Sequence, residues 1–541
     1  MQAMTRSMNP SWWLRRWSEV CPDKHAIVCG EQAVTYAELQ REVTRTACWL
    51  QEVGIEKGDR VAVVLENCPE FLFLFLACAR LGAVFVPLNY RLSADELDYL
   101  LSHSRPRVLV CSSRFADVIR RLDFTSYRPV FTAAYVGDTP PVAEAGLNFG
   151  EAIGACSADR TKVASLLSPS SPEDPQVIMY TSGTTGRPKG AVLSHRKTFF
   201  NCLNADIFFQ LAFDDRMLIV LPMFHSGGLF IQACPCLYKG ATIYLHDHFD
   251  PVRALQDIRR HAVTKFQGVP TVYRALLHAA AETGADLSSL RICAIGGEKV
   301  TSEIIAACLQ KGLPLRQIMG QTETSILLWA STDDLLAKPG TVGRPVFHAD
   351  VAVFDGGGQI LNAPAVGELG VRGSILMTEY WHDPEQTGKA LRGEWLMTGD
   401  VAHQDEDGYF FLVDRAKDMY ISGGENVYPA EVERVIGSCP GVLQAAVIGV
   451  ADERWGEVGH AFVIPDDSRI TEVELLAYCG ERLARYKLPR YVTFCSDLPR
   501  TALGKVQKFK LREMRQTASA AGAELPKPGP RTDLSGTLLD T

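Results

Sequence analysis

Two apolar runs, Val177-Ile-Met179 and Ala191-Val-Leu193, enclose the segment Tyr180-Thr-Ser-Gly-Thr-Thr-Gly-Arg-Pro-Lys-Gly190. The flanks read as strands, so the segment is a loop joining strand to strand. Glycines let the backbone approach an anion and aim N–H groups at it, hydroxyls add donors, and Lys189 adds a mobile positive charge. This is a phosphate cradle. It differs from the Walker loop, in which Gly-Lys is followed by Ser or Thr at the opening of a helix. Here Pro188 precedes Lys189 and Gly190 follows it, so the lysine is offered to a nucleotide from between two strands.

A chain of 541 residues is too long for one core and predicts several packed subdomains. With 47% hydrophobic residues, 22% charged residues and a net charge of −8, it has neither a basic stripe for nucleic acid nor an acidic tail. The longest apolar stretch, Phe71 to Leu88, is interrupted by Arg80 and contains Gly82 and Pro87. It reads as a buried helix running into a buried strand, and no transmembrane segment is expected. Met1 to Pro10 lacks the apolar core of a signal peptide, so export is not expected. Fifteen cysteines lie scattered among apolar neighbours, the pattern of reduced core thiols, and predict a cytoplasmic setting. Cys234-Pro-Cys236 and His246-Asp-His248 lack the second pair that a zinc site needs. The composition is compatible with a homodimer.

Helix-like and strand-like segments alternate from Trp12 to about Val413: a helix over Tyr36–Val53, a strand over Arg60–Leu65, a helix over Pro69–Leu81 and a strand over Ala83–Pro87. The fold class is therefore α/β. Glycine-aspartate turns after Asp355 and Asp405 mark a β-rich lobe from about Val342 to Val413. A small α+β domain follows, with Pro429 at a helix start, a strand over Ala445–Val450, a Thr471-x-x-Glu474 capping box and a strand over Tyr491–Phe494. The predicted organisation is a large N-terminal domain of several subdomains (1–414), a mobile C-terminal domain (415–515) and a disordered tail (516–541).

Further clusters carry chemistry. Gly320-Gln321-Thr322-Glu323 sets a hydroxyl and a carboxylate after a glycine turn, which suits Mg²⁺ shared between one carboxylate and substrate phosphates. A solvated helix start capped by threonine is the alternative. Asp400 of Thr398-Gly-Asp400 could accept both hydroxyls of a ribose, or sit in an ordinary turn. Asp414 to Asp418, followed by Ser422-Gly423-Gly424, combines charge and flexibility at the domain junction, as hinges and plain linkers both do. Lys505, in Thr501-Ala-Leu-Gly504-Lys505, reads by itself as a solvated surface charge.

In this order the segments resemble the adenylate-forming superfamily, in particular the acyl-CoA synthetases or fatty acid–CoA ligases. The resemblance spans about Trp12 to Arg515 and includes the phosphate loop, Leu221-Pro-Met-Phe-His225-Ser, Gly296-Gly297-Glu298, Gly320 to Glu323, Tyr380-Trp to Asp400, Asp414 to Glu433 and the Lys505 loop. It implies an AMP-forming ligase with ATP, Mg²⁺ and coenzyme A. A carboxylate attacks the α-phosphate of ATP, giving acyl-AMP and pyrophosphate, and the thiol of coenzyme A then displaces AMP.

By the same resemblance, Lys505 would bridge the acyl carboxylate and the α-phosphate. Thr181, Ser182, Gly183, Thr184, Thr185, Gly186 and Lys189 would hold the β- and γ-phosphates. Glu323 would hold the metal and Thr322 the α-phosphate. Gly297, Glu298, Met319, Gly320 and Gln321 would border the nucleotide, with Asp400 and Arg415 on the ribose. His225 would border the carboxylate and gate the thiol channel. The small domain would turn about Lys417, withdrawing Lys505 and bringing up Gly423 and Gly424 beside the pantetheine. Two positions depart from the usual pattern: Met319 stands where an aromatic stacks on adenine, and Glu298 follows Gly297 where many relatives have alanine.

The acyl pocket is expected from Phe224–Cys236, Gly268–Pro270, Gly296–Lys299 and Ile318–Trp329. Its small residues point to a medium or long chain or a bulky ring acid. The rival reading is an acyl-AMP ligase that loads a carrier protein. Luciferase-type oxygenation is the third, and its relatives usually end in Ser-Lys-Leu, whereas this sequence ends Leu-Leu-Asp-Thr541.

Overall fold

The computed structural model describes residues 7–124, 132–141, 146–156, 171–181, 188–297, 300–415, 420–466, 470–499, 506 and 508–520. The chain forms two compact units. The first comprises 1–90, 98–181 and 190–414; the second comprises 91–97, 182–189 and 415–541.

Two large sheets organise the first unit. The nine-stranded sheet has a parallel centre, in the order Leu315–Gln321, Ile292–Gly296, Lys265–Gly268, Arg216–Ile219, Thr242–Leu245, His25–Cys29. Antiparallel strands close its two edges. The eight-stranded sheet runs Glu379–Tyr380, Lys189–Ser194, Pro175–Thr181, Val84–Pro87, Arg60–Val64, Val108–Ser112, Thr132–Val136, Leu147–Asn148. The cradle thus connects two neighbouring strands, Pro175–Thr181 and Lys189–Ser194; its residues 182–187 lie outside the described residues. A separate antiparallel sheet between Ala349 and Arg415 forms the β-rich lobe, with Asp405–Gly408 turning between Trp395–Gln404 and Phe410–Arg415.

The helix Pro69–Leu81 shows how sequence sets structure. Pro69 pre-forms its first turn, Glu70 and Arg80 complement the helix dipole at its two ends, and Gly82 ends it in the left-handed region at φ +70°. Every residue but Glu70 is buried. Arg80, 2% exposed, donates to Ser11 Oγ at 3.0 Å, Thr44 Oγ1 at 2.8 Å and Gln40 Oε1 at 3.0 Å. Three neutral acceptors stand in for water around this charge.

The second unit carries a five-stranded sheet in which Tyr420–Ser422 and Glu425–Val427 form a hairpin. Gly423 and Gly424 are its two turn residues, at φ +59° and +83°, conformations that disfavour any Cβ. The helix Pro429–Gly437 starts at the expected proline, and Glu472–Gly480 carries the expected capping box from Thr471 and Glu474. The expected strand over Ala445–Val450 is longer, Val442–Asp452, because Gly456–Pro465 pairs along nearly all of it. Buried Lys487 donates to Glu431 Oε1 at 2.8 Å. A helix spans Lys508–Ala520, its last five residues falling in the segment assigned to the tail, and Leu511 packs its first half onto Ala446, Ile448 and Phe462. Residues 521–541 lie outside the described ones.

Two buried histidines give the fold an acid limit. His195 has no partner at either ring nitrogen among the described residues, and burial pushes it down to about 4. His460 is pushed down to about 3 by burial and by the guanidinium of Arg515, 2.9 Å from its Nδ1. Both are neutral when folded, whereas an unfolded histidine takes a proton near pH 6.5. Their contribution is therefore whole above about pH 6.5 and is lost as pH falls towards the folded values, each group costing ~2 kcal/mol by pH 5. Thermal unfolding should move to lower temperature between pH 7 and pH 5, and His460→Gln should flatten that slope. An unchanged midpoint across this range would refute the assignment.

Candidate active site

Four consecutive parallel strands, 315–321, 292–296, 265–268 and 216–219, end beside one another. Beyond their carboxyl ends lie Thr322–Glu323, Gly297, Val269–Pro270 and Leu221–His225. The carboxyl edge of an open parallel sheet is where such folds bind ligands, because backbone N–H groups and loop side chains converge there. The stretches assigned from sequence to the acyl pocket and to the Gly320–Glu323 motif thus share one edge.

Strand 315–321 leads through a turn at Thr322–Thr324 into the antiparallel strand Ser325–Ala330. This replaces the alternative of a solvated helix start. A register shift falls between Met319 and Gly320, and Ser325 adopts φ +57°. The crossing is so close that a Cβ at Gly320 would lie 1.7 Å from Ser325 O. Glycine is required here by contact. Met319, 9% exposed, packs into the main core.

Glu323 is 7% exposed, and its Oε1 accepts a hydrogen bond from Tyr380 Oη at 2.7 Å. Met377 N donates to Glu323 O at 2.7 Å, so main chain and side chain are both held. No cluster of three or more metal-ligating side chains occurs among the described residues. A cation at Glu323 would therefore take its other ligands from substrate oxygens and water. That ligand set suits Mg²⁺.

His225 precedes a short helical turn, Ser226–Gly228, and its ring leans on Phe224 with centroids 4.4 Å apart. Its loop is braced by Asn67, 3% exposed, which sequence reading passed over. Asn67 Nδ2 donates to Leu221 O and His246 O, each at 3.0 Å, and Oδ1 accepts from Met223 N at 2.8 Å. Asn67→Ala would strand three buried backbone groups. It should cost about 2 kcal/mol of stability and lower kcat/KM about tenfold by loosening His225. Melting and pyrophosphate release check the two effects separately.

Asp400, 7% exposed, follows Gly399 at φ +75°, and its N donates to Thr398 Oγ1 at 3.1 Å. Thr181 ends its strand and Lys189 begins the next. Gly190 packs so tightly that a Cβ would meet Ile178 Cγ2 at 2.7 Å. Arg415 ends the strand Phe410–Arg415. Lys189, Arg415, Gly423 and Gly424 belong to the second unit. Ser182, Gly183, Thr184, Thr185, Gly186, Glu298, Lys417 and Lys505 lie outside the described residues. All fifteen cysteines are free thiols, and among the described residues no helix is long and apolar enough to cross a membrane.

A parallel-edge site with one buried carboxylate, in a chain whose sequence also carries a Gly/Ser/Thr phosphate motif, defines an adenylating enzyme. The chain matches the family described as AMP-binding enzyme over residues 14–381 and the AMP-binding enzyme C-terminal domain over 431–505. It belongs to the adenylate-forming acyl-CoA synthetase family and is an AMP-forming, ATP-dependent acid–CoA ligase. It is 41% identical to a feruloyl-CoA synthase of Amycolatopsis sp over 93% of this chain and 98% of the relative. It is 38% identical to an indoleacetate–CoA ligase of Aromatoleum aromaticum, over 94% and 98%. Among solved structures, o-succinylbenzoate CoA synthetase from Bacillus subtilis superposes with a TM-score of 0.83 at 31% identity, over 93% of this chain and 98% of that one.

Proposed function

We propose that this ligase activates a bulky ring-bearing carboxylic acid, with Glu323, Thr322 and His225 on the carboxyl edge of the nine-stranded sheet forming the core of the site. The observation that carries the reading is that these residues follow the carboxyl ends of two strands of one parallel sheet, 315–321 and 216–219. Of the glycines in the expected pocket stretches, Gly227 has room for a Cβ, with Leu221 Cδ1 at 3.5 Å, whereas at Gly228, Gly268 and Gly296 a Cβ would lie 2.4, 2.8 and 2.3 Å from its neighbours, so these three serve close packing and not an open cavity. The relatives named above that take ring acids, feruloyl and indoleacetate, support the same class. Free thiols throughout support a cytoplasmic setting.

In the first step a carboxylate oxygen attacks the α-phosphorus of ATP and the bond to pyrophosphate breaks. Charge accumulates on non-bridging oxygens, so the protein's contribution is positioning and electrostatic stabilisation, with no enzyme nucleophile. Mg²⁺, when bound at Glu323, would supply charge neutralisation to the phosphates. Tyr380 holds that carboxylate's orientation through its 2.7 Å hydrogen bond. Thr322 would donate to the α-phosphate, Thr181 to Lys189 would hold the outer phosphates, and Asp400 and Arg415 the ribose. In the second step the thiol sulfur attacks the acyl carbon and AMP leaves.

A panel of carboxylic acids of graded length and ring content tests the reading by pyrophosphate release. Ring acids should give the highest kcat/KM, and AMP should be fully released only when coenzyme A is present. ADP formation would sink the ligase mechanism, and a preference for unbranched long chains would sink the ring-acid assignment. The carrier-protein alternative predicts transfer to a phosphopantetheinylated protein in preference to free coenzyme A.

A further inference from the structure

Outside the residues assigned to nucleotide chemistry, two buried cations of the first unit, Arg80 and Lys197, have no acidic partner at ion-pair distance among the described residues; Arg80 has three neutral acceptors and Lys197 one. Lys197, in the first turn of helix His195–Phe209, is fully buried. Its Nζ donates to Ser325 Oγ at 2.5 Å and lies 5.0 Å from the centre of the Phe230 ring. Ser226 Oγ donates to the same Ser325 Oγ at 3.2 Å. Burial pushes the amine down to about 7, against the attraction of Glu323. An isolated ammonium in such a place is costly unless something accepts its hydrogens.

The donors outnumber the acceptors. An ammonium carries three N–H donors and no lone pair. Two of the three, and the Ser325 hydroxyl hydrogen, have no acceptor among the described residues. The surroundings are built, not slack. Ser325 is held at φ +57° against Gly320, and an L residue in that region marks a backbone constrained by its neighbours. Leu229–Ala233 forms a π-turn, a rare feature that recurs at functional sites. The turn is pinned by Asn201 Nδ2 donating to Phe230 O and by Gln232 Nε2 donating to Gly227 O at 3.1 Å. Ser226 follows His225 directly, and Ser325 stands two residues after Glu323, so the cluster sits on the loops that carry the site.

In its ammonium form Lys197 can only donate, and Ser325 Oγ then accepts from it. Ser325 Oγ accepts from Ser226 as well, so Ser325's own hydrogen is left for an outside acceptor. Ser226, 8% exposed, is the most accessible of the three. We propose that this relay, in which Lys197 and Ser226 both donate to Ser325 and Ser325 donates onward, recognises a hydrogen-bond-accepting oxygen carried by the acyl substrate away from its reacting carboxylate. The chemistry is that of a phenolic, keto or second carboxylate oxygen, and an unsubstituted hydrocarbon tail lacks it. Ser325 would donate to the substrate oxygen, with the more accessible Ser226 beside it. Lys197 is a positioning residue that fixes the direction of the relay. The inference rests on the acid–CoA ligase reading and narrows its substrate.

The test uses the full-length enzyme and matched acids: an arylpropenoic acid with and without a ring hydroxyl, an aroylpropanoic acid beside the arylalkanoic acid lacking its keto group, and a dicarboxylic acid beside the monoacid of equal length. Pyrophosphate release gives kcat/KM for each. The wild type should prefer the oxygen-bearing member of at least one pair by about 10- to 100-fold, a range set by what a hydrogen-bonding pocket discriminates. Lys197→Met and Ser226→Ala should each reduce that ratio about tenfold or more, mainly through KM. The preferred pair identifies the oxygen. Should Lys197→Met fail to fold, Ser226→Ala carries the test. No preference in any pair, or an unchanged ratio in the soluble variants, overturns the relay. Failure of the wild type to release pyrophosphate with any acid overturns the ligase reading instead.

Discussion

Lys505→Ala should abolish acyl-adenylate formation, lowering acid-dependent pyrophosphate release by about 10³-fold or more, because one positioned cation at a reacting phosphate is worth several kcal/mol. The second half-reaction separates this from general damage. Supplied with preformed acyl-AMP and coenzyme A, the variant should make thioester at a rate within about threefold of wild type, since the thiol's attack on the acyl carbon needs no charge at the α-phosphate. Loss of both half-reactions together would assign Lys505 a structural part. The assignment comes from the resemblance of the Thr501–Lys508 segment and stands as a proposal.

Gly424 should give the converse result. It is the second residue of a two-glycine turn, at φ +83°, where a side chain costs about 1–2 kcal/mol of backbone strain before it touches anything. A larger side chain would also narrow the approach of the pantetheine thiol. Gly424→Leu is expected to leave pyrophosphate release within a few-fold of wild type while thioester formation falls about 100-fold. Acyl-AMP should then accumulate on the enzyme and be visible after a quench. Equal losses in both steps would point to misfolding of the hairpin. Gly423 is the less informative target, because a Cβ there would press on the Trp455 ring at 2.9 Å and disturb packing first.

What the sequence made legible follows the range of the interactions that fix it. The helix Pro69–Leu81 and the Thr471–Glu474 capping box are specified by residues within a few positions of one another, and they occur where expected. The strand expected over Arg60–Leu65 occurs at Arg60–Val64. The turn expected at Gly320 falls instead at Thr322–Thr324, with Gly320 inside the strand, and the partner of Glu323 is not local: Tyr380 lies 57 residues away and arrives through strand pairing with Val192 and Ala191. Asn67 reaches Leu221 across 154 residues. No local pattern distinguishes it from a polar loop residue. Lys197 follows His-Arg at the start of a helix, where a lysine ordinarily faces water. Its burial is set by the π-turn and by Ser325, which local periodicity does not encode.

Arg80 has a consequence for how the first unit assembles. A helix that is apolar on nearly every side has no preferred rotation about its own axis, since any face could be turned inward at similar gain. The guanidinium removes that degeneracy. It finds its three acceptors on the helices Pro10–Val20 and Tyr36–Glu52, and only one azimuth of Pro69–Leu81 presents it to both. A single polar group thereby acts as a key, locking the orientation of the segment whose greasy surface would otherwise tolerate many.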